Sequence, residues 1–189
     1  NFCTVDLSAF YFDIRKDTLY CDPINSEKRN STLILLNVIL NSLLKWFAPI
    51  LSFTTEEIYQ LISKNKKSIH LEKFLNFPQK FDNSKLNSKW EQLIKIRDIC
   101  NLSIEQKRAS KDIGSSLEAD INIHLDKRLE KIIENIDFAE LCITSKAQIL
   151  FNENLETSAQ TTKAKGTKCN LCWKITENAC QRAHCPHSS

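Results

Sequence analysis

At 189 residues the chain is long enough to bury a core, as one large domain or two small ones. Hydrophobic residues at 42% and charged residues at 26% describe an ordinary soluble globular protein, and a net charge of +3 is too small to imply a nucleic-acid partner by itself. Residues 1–13 carry no basic n-region, and the longest apolar stretch, 33–47, is broken by Asn37, Asn41, Ser42 and Lys45, so neither a signal peptide nor a membrane span is expected. The expected location is the cytoplasm. The absence of Met, even at position 1, points to a piece of something longer.

Residues 1–112 read as a helical bundle. Phe2, Val5, Ala9 and Phe12 recur at helical spacing in a first segment that breaks at Asp22-Pro23. A second helix, from about Glu27 to Phe47, carries Leu33, Leu36, Leu40, Leu43 and Phe47 on one stripe, widened by Leu35 and Ile39. That width predicts a central place in the bundle, and Pro49 ends the helix. Thr54 and Glu57 form a capping-box pattern that opens a short helix through Ile58, Leu61 and Ile62. A long connection over 65–83 has one candidate extended piece, Ser68 to Leu71. The next helix, about 85–110, aligns Leu86, Trp90, Leu93, Cys100 and Ile104. Arg97 falls on that stripe and either snorkels to the bundle edge or is held for a phosphate or base. Arg108 and Lys111, at the end of this helix, are further candidate RNA contacts.

After Gly114 the period changes. Ile121, Ile123 and Leu125 alternate with Asn122, His124 and Asp126, which predicts a strand. A short helix over 128–136 and a second strand over about 139–150 complete a small α+β unit, residues 113–151. Residues 152–168 are polar and read as a linker or a loosely ordered strand.

The tail, residues 169–189, carries Cys169-Asn-Leu-Cys172-Trp173 and Cys180-Gln-Arg-Ala-His-Cys185. Two residues between Cys169 and Cys172 let both thiolates approach one metal from a tight turn, and Cys180 and Cys185 complete a tetrahedral set with no open position. The predicted site is one structural zinc, with His184 or His187 as alternatives to Cys185. So short a tail has almost no apolar core, and the metal would supply its folding energy. The other four cysteines, Cys3, Cys21, Cys100 and Cys142, sit among apolar positions, where a free thiol behaves as a small buried hydrophobe. From Lys163 onward five cations (Lys163, Lys165, Lys168, Lys174, Arg182) face one anion, Glu177, a basic balance suited to phosphates or to solubility. Trp173 either stacks on an unpaired base, with Lys168, Lys174 and Arg182 around it, or covers the knuckle.

Four stretches in order resemble the isoleucyl-tRNA synthetases: residues 6–22 (DLSAFYFDIRKDTLYCD), 48–57 (APILSFTTEE), 113–119 (IGSSLEA) and 168–173 (KCNLCW). The resemblance covers essentially the whole chain. The valyl enzymes share the helical domain but lack the Cys-rich tail. The resemblance implies the C-terminal part of a class I ligase that charges tRNA(Ile) with isoleucine using ATP. In it the bundle and zinc tail hold the anticodon stem-loop, as a monomer and beside the catalytic domain of the same polypeptide. The HIGH and KMSKS signatures are absent, so no catalytic residue is expected here. ATP and magnesium belong to the catalytic domain, and this piece alone should be inactive. Two departures stand out: Leu171 replaces the family's usual Arg, and the second Cys pair is C-x4-C after only seven residues. The competing readings are the finger-bearing end of a DNA-repair glycosylase and a non-catalytic module in which zinc only pins the tail.

Overall fold

A computed structural model describes residues 1–63, 67–153, 156–178 and 180, and the chain divides into two units. One joins 1–23 to the residues from 83 onward; the other is 24–82. Within the first unit the long helix Ser84–Ala109 packs on the sheet that follows it.

In the first unit the chain begins with Phe2–Phe12, wound in the wider i→i+5 pattern of a π-helix, and continues as α1, Asp13–Cys21. The wider winding changes which side chains face inward. Phe2, Val5 and Phe12 are exposed, and the buried residues are Leu7, Ile14 and Thr18. α4, Ser84–Ala109, buries Leu93, Ile96, Cys100 and Ile104, while Leu86 faces solvent. Its Asn83 cap accepts from the Leu86 amide at 3.0 Å.

β1, Ala119–Asp126, is the central strand of three, in the order β2-β1-β3. Its alternation is the predicted one: Ala119, Ile121, Ile123 and Leu125 are buried, and Asn122 and His124 lie between. β2, Lys146–Asn152, pairs with it in parallel, with Ile123 opposite Ile149. The crossover contains α5, Glu130–Ile133, and α6, Phe138–Leu141. The first part of the strand expected over 139–150 is therefore helix. The Asp137 carboxylate accepts from the amides of Ala139 and Glu140 at 2.9 and 3.1 Å, which starts a helical turn despite the apolar run.

The segment read as linker or loose strand contains β3, Ser158–Lys163, antiparallel to β1 with Ala159 opposite Ile123. Thr161 is buried there, and its hydroxyl lies 2.8 Å from that of Ser103 on α4. That contact ties helix to sheet.

The second unit is a helical hairpin, α2 (Glu27–Phe47) and α3 (Ser52–Ile62), followed by a 3-10 turn at Ile69–Leu71. Ser26 caps α2, accepting from the Arg29 amide at 3.3 Å. α3 starts ahead of the predicted capping box, and Thr54 caps nothing; Thr55 instead bonds back to the Leu51 carbonyl at 2.9 Å. The piece read as extended at 68–71 is a turn because the Glu56 carboxylate accepts from Ser68 Oγ and the Ile69 amide, both at 2.9 Å. The buried cluster is Leu44, Ala48 and Ile69 with Tyr59 against it. α2 was expected to be central, yet Leu33, Leu35, Leu40 and Phe47 on its stripe are exposed. No described helix is long and apolar enough to cross a membrane.

Candidate metal centre and nucleic-acid interface

The knuckle is built on a two-stranded ribbon, β4 (Thr167–Lys168) against β5 (Ile175–Thr176). Gly166 makes the ribbon possible. Its φ is +122°, and a Cβ there would lie 2.1 Å from the Thr176 carbonyl oxygen. At the top of the ribbon the Cys169 amide donates to the Lys174 carbonyl and the Trp173 amide to the Cys169 carbonyl, both at 2.9 Å. Trp173 itself takes a left-handed conformation, φ 62°, which a bulky side chain adopts rarely.

This turn brings three thiols together. Cys169, Cys172 and Cys180 are all buried, and their sulfurs lie within 4.8 Å of one another. Cys172 and Cys180 are 3.9 Å apart, nearly twice a disulfide length of about 2.05 Å. Two thiolates on a tetrahedral zinc with bonds of about 2.3 Å stand roughly 3.8 Å apart, so the donor set fits that metal. Burial pushes the Cys172 thiol up, while the Lys174 amide beside it favours the thiolate. A cation at the centre of the trio would bring all three to the charged form. Cys185, His184, His187 and Arg182 lie outside the described residues.

Two contacts fasten the knuckle to the rest of its unit. The Ile175 amide donates to Ser145 Oγ at 2.6 Å, and the Ser145 hydroxyl donates in turn to the Leu117 carbonyl. The Cys21 thiol, at the end of α1, points to the Leu171 carbonyl at 3.7 Å and packs against the cysteine cluster. Of the four cysteines expected to be small buried hydrophobes, Cys100 and Cys142 are buried, but Cys3 is exposed and Cys21 is only half-buried beside the knuckle. The Cys142 thiol beside Cys100, together with burial, pushes the Cys100 thiol well up, as expected of an inert core cysteine.

A family model described as the anticodon-binding domain of tRNA ligase matches residues 1–123. The chain belongs to that family. This membership sets aside the glycosylase reading. The anticodon-binding chain is also 60% identical over 182 residues to the isoleucine–tRNA ligase of Pelagibacter ubique, covering 96% of the chain and 20% of that relative. It is 39% identical to the isoleucine–tRNA ligase of Agrobacterium fabrum, covering 93% of the chain and 19% of the relative. The match to the enzyme of Bradyrhizobium diazoefficiens is 40% with the same coverage. The chain thus spans about a fifth of the length of these relatives, matching their C-terminal part.

Within this anticodon-binding chain the cations named from sequence fall in three places. Lys168 lies over the Trp173 ring, its Nζ 5.9 Å from the centroid, and Lys174 follows on the knuckle. Trp173 is 61% exposed. Arg108 and Lys111 line an open groove of about 490 Å³, where Arg108 also meets Glu105 at 2.7 Å. Arg97 turns inward. Its Nε donates to the Leu141 carbonyl at 3.0 Å, and its guanidinium sits 5.1 Å from the Phe10 ring centroid. Sequence reasoning missed Ser145 and Cys21, whose contacts with the knuckle depend on distant segments. Gly166, one of only two glycines and three residues before Cys169, was a signal that went unread.

Proposed function

We propose that the chain is the tRNA-holding C-terminal part of an isoleucine–tRNA ligase, gripping the anticodon stem-loop of tRNA(Ile). A structural zinc on Cys169, Cys172, Cys180 and Cys185 would fix the knuckle. The observation that carries this reading is the pairing of a buried three-thiol cluster with an outward Trp173 flanked by Lys168 and Lys174, in a chain of the anticodon-binding family. Isoleucine activation, with its ATP and magnesium, belongs in this reading to the catalytic domain of the same cytoplasmic, monomeric polypeptide.

The contribution of these residues is positional. Binding energy gathered at the anticodon end, from unstacked bases and phosphates, orients the distant acceptor end. Lys168 and Lys174 would meet phosphates around Trp173, and Arg182 would add a further phosphate contact; Arg108 and Lys111 would do so along their own groove. Arg97, anchored by the Leu141 carbonyl, would present only its remaining guanidinium edge.

The test is binding of an isoleucine-tRNA anticodon hairpin to the chain at increasing salt, beside pyrophosphate exchange into ATP. The reading predicts binding that weakens steeply with salt and is reduced by scrambling the loop, with no exchange activity. Binding indifferent to the loop sequence would contradict it.

A further inference from the structure

A fourth sulfur meets the three of the knuckle. Cys21, the last residue of α1, packs against the buried trio of Cys169, Cys172 and Cys180. Its thiol lies 3.7 Å from the carbonyl of Leu171, the residue next to Cys172. Cys21 nevertheless stands outside the group whose sulfurs lie within 4.8 Å of one another. It is a thiol beside the metal shell rather than part of it.

Access and freedom of movement distinguish this thiol from the other internal cysteines. Cys21 is half-buried and, together with Cys172, lines a cavity of about 500 Å³, so a small oxidant reaches both sulfurs. α1 ends at Cys21, and Asp22 is already extended ahead of Pro23. The thiol therefore rides on a helix terminus, where the backbone yields most readily. Cys100 and Cys142, by contrast, are sealed in the core of the same unit.

We propose that Cys21 is a redox latch for the knuckle: a peroxide couples it to Cys172 and so withdraws Cys172 from the metal shell. The proposal rests on the metal-held knuckle proposed above. Peroxide oxidises the Cys21 sulfur to a sulfenic acid as its O–O bond breaks, and one water leaves. The Cys172 sulfur attacks that sulfur, the S–S bond forms, and the departing hydroxide takes up a proton as a second water. Two thiols and one peroxide thus give one disulfide and two waters. With Cys172 in a disulfide the tetrahedral set is one donor short. Trp173, the next residue, then loses the frame that holds it.

The experiment treats the full metal-loaded chain with graded hydrogen peroxide, in a Cys3→Ser background that removes an exposed thiol. Zinc release is followed with a chromogenic chelator, and disulfides are mapped by peptide mass spectrometry. Peptides joined through Cys21 and Cys172 should appear in step with zinc release, and dithiothreitol with added zinc should reverse both. Affinity for the anticodon hairpin should fall and return on the same course. Cys21→Ser and Cys21→Ala should begin with the same metal content and lose it severalfold more slowly. Chain that holds no zinc before oxidation would remove the metal-held knuckle and the latch together. Zinc lost from both variants at the wild-type rate, or disulfides confined to the knuckle's own cysteines, would overturn the latch alone. Variants that never load zinc, while the unsubstituted chain does, would make Cys21 a structural part of the metal site, which also overturns it.

Discussion

The two units are built from similar apolar helices and reach different ends. In the first, α4 lies on a three-stranded sheet, and fourteen buried residues from Ile14 to Cys142 form one continuous core. In the second, the α2–α3 hairpin has a buried cluster of three, while Phe53 is 92% exposed and Ile34 and Leu61 are also open. A sheet presents a broad flat face that one amphipathic helix can cover, whereas two helices side by side cover only a stripe of each other. Apolar content is therefore a poor guide to how much of an element is buried; what the neighbouring element can cover decides it.

Truncation should expose this contrast most sharply. Leu93→Ala, at a fully buried site in α4, should cost about 2–5 kcal/mol in denaturant unfolding. Phe53→Ala removes a larger side chain yet should change stability by less than about 0.5 kcal/mol. Equal losses would show that the second unit has a core these contacts do not reveal.

A middle-sized effect belongs to the link between knuckle and sheet. Ser145→Ala leaves the Ile175 amide without its acceptor and should cost about 1–3 kcal/mol. It should also speed metal loss to a chelator. An unchanged release rate would mean that the ribbon holds its geometry without the sheet.

The smallest effect concerns the turn at Ile69–Leu71. The Gln60 side-chain amide, and next the Ile69 amide, hold the Glu56 carboxyl below the usual carboxylate range. The stabilisation is thus present above the ordinary carboxylate pKa and is lost as pH falls through the lower folded value. Hydrogen-exchange protection of the Ile69 amide should decline in that acid window, and Glu56→Gln should show weak protection at neutral pH.

Much of this was legible in the sequence where one residue pattern determines one structure. Alternation from Ile121 to Leu125 marked β1, and the spacing of Cys169, Cys172 and Cys180 marked the thiol cluster. The apolar stripe and Pro49 marked α2, Glu27–Phe47. β3 was harder, since Ser158, Gln160 and Thr162 are polar and only Thr161 is deeply buried. The helical turn at Phe138–Leu141 depends on a single Asp137 cap within an otherwise strand-like run. The first stripe failed because i→i+5 winding turns Phe2, Val5 and Phe12 outward. Cys21 and Ser145 reach the knuckle across 150 and 30 residues of chain respectively, a proximity that no local pattern encodes.

A metal-organised knuckle that presents Trp173 to RNA is the centre of the proposed function. The most direct measurement is the affinity for the isoleucine-tRNA anticodon hairpin of chain that has had its metal counted, before chelation, after it, and after zinc is restored. Structural zinc contributes on the order of 10 kcal/mol in small modules, so its removal should undo the knuckle outright. The predicted result is about one zinc per chain, a marked loss of affinity on chelation, and recovery with zinc, while Cys172→Ser stays weak throughout. Protein purified without metal, whose grip on the hairpin a chelator leaves unchanged, would contradict it.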